Sequence, residues 1–231
     1  MESARNGSGP RPVLLSSIVR AVILPATPLL VPGLVLGLRP DPLAGVREAV
    51  AAALAGVTAG GRVPLVLAHG PALRHGRMRP SLAGSGIGDR WLPDPSPGSG
   101  HRPSTGSGYR AGAGLPWADS DRPAAGTGAS VALLALADVL GARASDVEAL
   151  EVPPDWARLD AGPADLLRLA DCLVVAGGGV PGGLDSGPDA LTDGVRSALR
   201  IAGADGWAPD VQVFEQAHDH LPPEYRVTIL S

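Results

Sequence analysis

The chain contains no lysine. All 19 basic residues are arginine, asparagine occurs once at Asn6, and the single cysteine among 231 residues is Cys172. Arginine in place of every lysine reads as genome composition and not as function. Without lysine there is no Walker-type phosphate lysine, and one cysteine excludes an internal disulfide and a paired-cysteine zinc site. Cys172 lies in Ala170-Asp171-Cys172-Leu173-Val174-Val175, the start of an apolar strand, which predicts a buried, inert thiol and a reducing, cytoplasmic setting. Aromatic residues are 3% and the net charge is −4, so no basic stripe with interleaved aromatics marks a nucleic-acid partner. A G-x-S-x-G nucleophile turn and an H-E-x-x-H zinc helix are also absent.

What the chain has in excess is glycine (32) and proline (24), beside 45% hydrophobic residues, so a buried core must alternate with a good deal of irregular backbone. Residues 21–38 carry no charge and follow Arg5, Arg11 and Arg20, which imitates a signal peptide or a membrane span. Pro25, Pro28, Pro32, Gly33 and Gly37 would all have to be accommodated in one apolar helix, so no membrane segment is expected.

Residues 1–17 have no periodicity and are expected to be a disordered extension. The remainder, 18–231, reads as an α/β domain: a mainly parallel central sheet flanked by helices, interrupted by a long Gly/Pro-rich irregular insertion at about 75–126. A first strand over 18–24 is stopped by Pro25, and the prolines at 25, 28 and 32 predict a stiff, extended loop. Asp41-Pro42 starts a helix whose apolar positions run from Leu43 to Val57 and which Gly60-Gly61 closes. A second strand over 63–68 completes a βαβ unit, read as a parallel pair. One short strand is expected within 81–92. A buried helix follows over 127–140, then a strand over 147–152, a helix over 164–170 with Asp165 in its first turn, and a strand over 171–176. A helix over 189–202 and two edge strands, 211–214 and 226–230, end the pattern.

Candidate site residues collect where strands end. They are Ala26, Thr27 and Pro28 after the first strand, His69 after the second, and Gly177, Gly178, Gly179 and Gly182 after the strand over 171–176. Gly177, Gly179 and Gly182 satisfy G-x-G-x-x-G, which can cradle a pyrophosphate, although Pro181 removes an amide from that loop. His218-Asp219-His220 places two imidazoles and a carboxylate within three residues. With His69 they could supply a metal site, and surface or backbone-bonded histidines are the plainer reading. His75 and His101 lie in low-complexity sequence.

The strand followed by Pro25-Ala26-Thr27-Pro28-Leu29-Leu30-Val31-Pro32, together with the turn Val175-Ala176-Gly177-Gly178-Gly179-Val180-Pro181-Gly182-Gly183-Leu184, resembles the subunit-B-like proteins related to class III extradiol ring-cleavage dioxygenases. The resemblance covers about 18–73 and 166–202. In that family the first loop carries a Pro-His-Pro-Pro motif whose histidine binds iron, a second iron-binding histidine follows the second strand, and a histidine in the glycine turn acts as acid and base. Here Ala26 and Gly182 stand at the first and last of these positions, and His69 at the second. The resemblance implies a retained fold that has lost iron-dependent ring cleavage and keeps a pocket for a small molecule or partner, with no cofactor expected. Two other readings stand beside it. One is an active metalloenzyme with Fe(II) or another divalent metal on a rebuilt His69, His218 and His220 site; the other is an anion- or nucleotide-binding domain using 177–183. The catalytic residues are unknown, and self-association into a homo-oligomer is left open.

Overall fold

A computed structural model describes residues 18–31, 34, 41–92, 121–156, 161–177, 191–217 and 219–231. The elements in chain order are β1 (Ala21–Pro25), α1 (Ala44–Val57), β2 (Leu65–His69), β3 (Arg74–Gly76), α2 (Thr127–Leu140), β4 (Ala149–Val152), α3 (Ala161–Leu169), β5 (Leu173–Gly177), α4 (Asp193–Ile201), β6 (Pro209–Glu215) and β7 (Glu224–Leu230). The seven strands form one mixed sheet in the order β3-β4-β2-β5-β1-β7-β6, with β4, β2, β5 and β1 parallel at its centre.

Alternation along those central strands builds two cores. Val22, Leu24, Val66, Ala68, Val174 and Ala176 face one side and pack with α1 and α2. Ala21, Leu65, Leu67, Leu173 and Val175 face the other, with Leu167, Val195 and Leu199 of α3 and α4. A strand buried on both faces can be apolar at every position, which is why β2 and β5 read as continuous hydrophobic runs. Each fully buried leucine or valine here contributes about 1.5–3 kcal/mol relative to exposure. Helix α2 buries nine of its 14 residues. The run Thr127–Asp146 is the one helical segment among the described residues with the length and apolarity to cross a membrane, and it is a core helix against α1, β2 and β5.

Local signals explain several boundaries. Asp41 accepts from the Leu43 amide at 3.0 Å just before α1, and Gly60 and Gly61, at φ of 72° and 82°, turn the chain out of it. Thr192 caps α4 by accepting from the Val195 amide at 3.3 Å, so that helix starts later than position 189.

Other expectations are corrected. β1 and β2 are not a bonded pair: β5, the later strand, lies between them, with Val22 and Val66 both in register with Val174. A βαβ reading supplies two parallel strands but no information on whether a third strand enters between them. The first-strand loop is not extended throughout, because Pro28–Leu30 forms a 3-10 turn in which proline supplies the helical φ and Thr27 caps by accepting from Leu29. Of the two strands expected as edges, β7 is internal, between β1 and β6, and β6 is an edge. Residues 81–92 hold two 3-10 turns and no strand, while β3 arises earlier, antiparallel to β4. Leu82 and Leu92 of that segment, and Met78 just before it, are buried in the core beside α2. Helix α3 begins at Ala161, so Asp165 falls in its middle and pairs with Arg168.

Close packing marks Gly194 at the start of α4. A Cβ there would lie 1.9 Å from the Pro153 carbonyl oxygen, whereas a Cβ on Gly162 of α3 meets nothing within 4 Å. Gly194→Ala is therefore expected to cost about 3 kcal/mol or more, and Gly162→Ala to leave stability unchanged or raise it by about 0.5–1 kcal/mol. Urea unfolding of the two variants checks the contrast. Cys172 is 2% exposed; burial pushes its thiol pKa up, Asp171 adds to this, and Arg62 offsets part of it. Its reaction with a disulfide reagent at pH 8 is expected only on unfolding, as followed by absorbance with and without urea.

Candidate functional site at the strand ends

The carboxyl ends of β1, β5 and β2 lie side by side, and the amino end of α2 descends onto them. That approach depends on small residues. A Cβ on Gly128 would stand 3.4 Å from the Ala176 Cβ, 3.5 Å from that of Ala26 and 3.8 Å from that of Ala68, so one alanine from each strand end forms the seat of the helix. Any larger side chain at these positions would push the helix away.

Above the seat is a cavity of about 290 Å³, lined by Ala26, Pro28, His69, Gly126, Thr127 and Gly128 and closed by the 70–71 and 84–85 turns. Its walls are mainly apolar. Its polar groups are the Thr127 and Ser85 hydroxyls, 3.0 Å apart, and the His69 imidazole. The first amides of α2 have no acceptor within the helix and carry the positive end of its dipole. Gly126 provides no capping side chain. His69 ends β2, partly exposed, with its Nδ1 buried and without a hydrogen-bond partner among the described residues.

Beneath the helix end sits a charge that water does not reach. Glu151 of β4 is fully buried; its Oε1 accepts the Gly126 amide at 2.6 Å, and its Oε2 accepts from Arg74 Nε at 2.9 Å and from Arg74 Nη2. Arg74, on β3, also donates from Nη1 to the Ala124 carbonyl at 3.2 Å. Edge strand β3 and the segment entering α2 are thus tied to one carboxylate. Gly70 completes the fit, because a Cβ there would lie 2.8 Å from the Glu151 Cβ.

On the β1 side the proline turn is held from below. The Tyr225 hydroxyl of β7 is hydrogen bonded to the Thr27 side chain; burial pushes the tyrosine pKa up, and the bond to Thr27 offsets part of that. Arg47 of α1 donates to the Leu29 carbonyl at 2.9 Å and pairs with Asp41. Thr27 is therefore a structural cap bonded to Tyr225, while its neighbours Ala26 and Pro28 face the cavity.

The structure brings together Ala26, Pro28 and His69, with Gly177 at the end of β5 between them, in register with Pro25. With β5 intervening, the ends of β1 and β2 are about 10 Å apart and not adjacent. Gly178, Gly179 and Gly182 lie outside the described residues, as does His218. His220 is exposed in the β6–β7 turn. In the sheet β5, β1 and β7 lie between β2, which ends in His69, and β6, which leads into that turn.

Three contributors were not foreseen: the Gly126-Thr127-Gly128 entry to α2, the Gly84-Ser85 turn and the Glu151–Arg74 pair. An acidic residue inside Ala149-Leu150-Glu151-Val152 was a readable sign of a buried charge needing a cation.

Non-haem iron takes about three protein ligands, and the cavity wall supplies one, His69; both oxygens of nearby Glu151 are already engaged. Among the described residues there is no group of three or more His, Cys, Asp or Glu side chains placed to hold a metal ion. The residues described do not fit iron.

Fold and site define an α/β domain with helices on both faces of a parallel-centred sheet and a cavity at the strand ends, the usual ligand position in open sheets of this kind. No protein-family model, curated protein or solved structure matches the chain.

Removal of Arg74 would leave the Glu151 carboxylate buried without a cation, while removal of Glu151 leaves an arginine that is 37% exposed and can turn to water. Arg74→Ala is expected to cost about 3–5 kcal/mol at neutral pH, and Glu151→Ala less, about 1–3 kcal/mol. Denaturant unfolding of the two variants at neutral pH measures the contrast.

Proposed function

We propose that this chain is an extradiol-dioxygenase-like α/β domain that has lost iron-dependent ring cleavage and holds a small molecule in the cavity at its strand ends. One observation carries the reading. Ala26, at the position where the resembled family places an iron-binding histidine, is an apolar wall of the cavity packed close to Gly128, and His69 faces the same space. A methyl group offers a metal nothing, and a lone imidazole is well short of a facial set.

What supports retention of binding is the space itself. About 290 Å³ is near the lower end of small-molecule sites, and its balance of apolar walls with a few convergent polar groups is usual for them. The chain's own residues would act by position. Ala26 and Pro28 cover an apolar part of the ligand, Thr127 and Ser85 offer hydroxyls, and His69 supplies a nitrogen that can donate or accept.

Two measurements test the proposal. Protein incubated anaerobically with Fe(II) and desalted is expected to retain far less than one iron per chain and to leave catechols intact; stoichiometric iron with ring cleavage would contradict the loss. In an NMR screen of fragments, amide shifts should cluster at residues 26–27, 69–70 and 126–128. They should weaken in His69→Ala, whereas binding confined to other surfaces would contradict the retained site.

A further inference from the structure

Among the described residues no strand pairs with the outer side of β6, the last strand of the seven-stranded sheet. Its inner side bonds β7: the Ala208 and Ser231 amides and carbonyls are mutually bonded at 2.8 and 3.1 Å, and the Gln216 amide reaches the Pro223 carbonyl at 2.8 Å. With the two-residue period of an antiparallel ladder, Asp210, Gln212 and Phe214 point their backbone groups inward as well. Pro209, Val211, Val213 and Glu215 point theirs outward.

Edge strands that must stay single are normally short, bulged or interrupted by lysine or proline. Here the edge runs seven residues without a bulge in its pairing to β7, its only proline is the first residue, and the chain has no lysine. Val211 and Val213 are 47% and 50% exposed on the face where α4 packs over β2 and β4 instead. Phe214 points to the opposite face, against Gly45 of α1.

We propose that β6 is the seam of a homodimer, pairing antiparallel with β6 of a second copy about a two-fold axis at Gln212. The occupant is argued from the strand's own complementarity. In this register the outward amides and carbonyls of Val211 and Val213 meet those of Val213 and Val211 in the other copy, as mutually bonded pairs. Glu215 falls opposite Pro209 and Asp210 opposite Phe214, so no like charges are opposed, a condition of stable cross-strand pairing. The exposed valines of both copies join into one apolar patch across the seam. The result is a continuous sheet of two copies with an isologous interface.

Sedimentation equilibrium at micromolar concentration should give twice the 23.2 kDa chain mass. The double variant Val211→Lys/Val213→Lys should sediment as a monomer with an unchanged circular dichroism spectrum. Gln212→Cys gives a second readout, since Gln212 meets its own copy as a non-bonded pair whose Cα atoms approach to about 4.5 Å, within disulfide range. Under mild oxidation it should cross-link several-fold more than exposed Asp205→Cys, with native Cys172 buried and silent. A monomeric native protein, a lysine variant that stays dimeric, or Gln212→Cys cross-linking no better than the control would each overturn the proposal.

Discussion

A carboxylate out of reach of water accepts the amide of Gly126, and from this contact the arrangement of the strand ends follows. Glu151 can be buried only because Arg74 neutralises it and the Gly126 amide satisfies its other oxygen. In return it fixes where α2 begins and clamps β3 to the sheet edge. With its start fixed and Ala26, Ala68 and Ala176 beneath it, the helix comes down onto the ends of β1, β2 and β5. The cavity is the space left beside that descent.

The parts of this arrangement that could be read from the sequence are those set by local chemistry. The apolar run from Thr127 to Leu140 gave its helix the observed bounds, and the strand ending in His69 and that ending in Gly177 stood out by their β-branched and leucine residues. Ala26, Pro28 and His69 were assigned to strand ends and do share a cavity. What escaped was long-range. The insertion of β5 between β1 and β2 depends on a connection that local periodicity does not encode, and so does the internal place of β7. The Glu151–Arg74 pair joins residues 77 apart in sequence, and no spacing rule links them. The 3-10 turn at Pro28 was missed because proline suits an extended chain and a helical first turn equally well, and the choice rested on the Thr27 cap.

The two ends of the sheet have different characters. Near its centre, opposite helices enclose both faces and leave one sheltered space at the strand ends, suited to a small ligand. At the β6 side, among the described residues, Val211 and Val213 are exposed and the last strand has no strand paired to its outer side. A dimer through that edge would leave the cavity open, since β7, β1 and β5 lie between β6 and the end of β2 that bears His69.

The proposed function requires that the cavity at the strand ends hold no iron beside His69. Crystals grown anaerobically with excess Fe(II) and measured on both sides of the iron absorption edge test it most directly. No anomalous peak is expected in the cavity beside His69. A full-occupancy iron there, held by His69 and two further protein ligands, would contradict it.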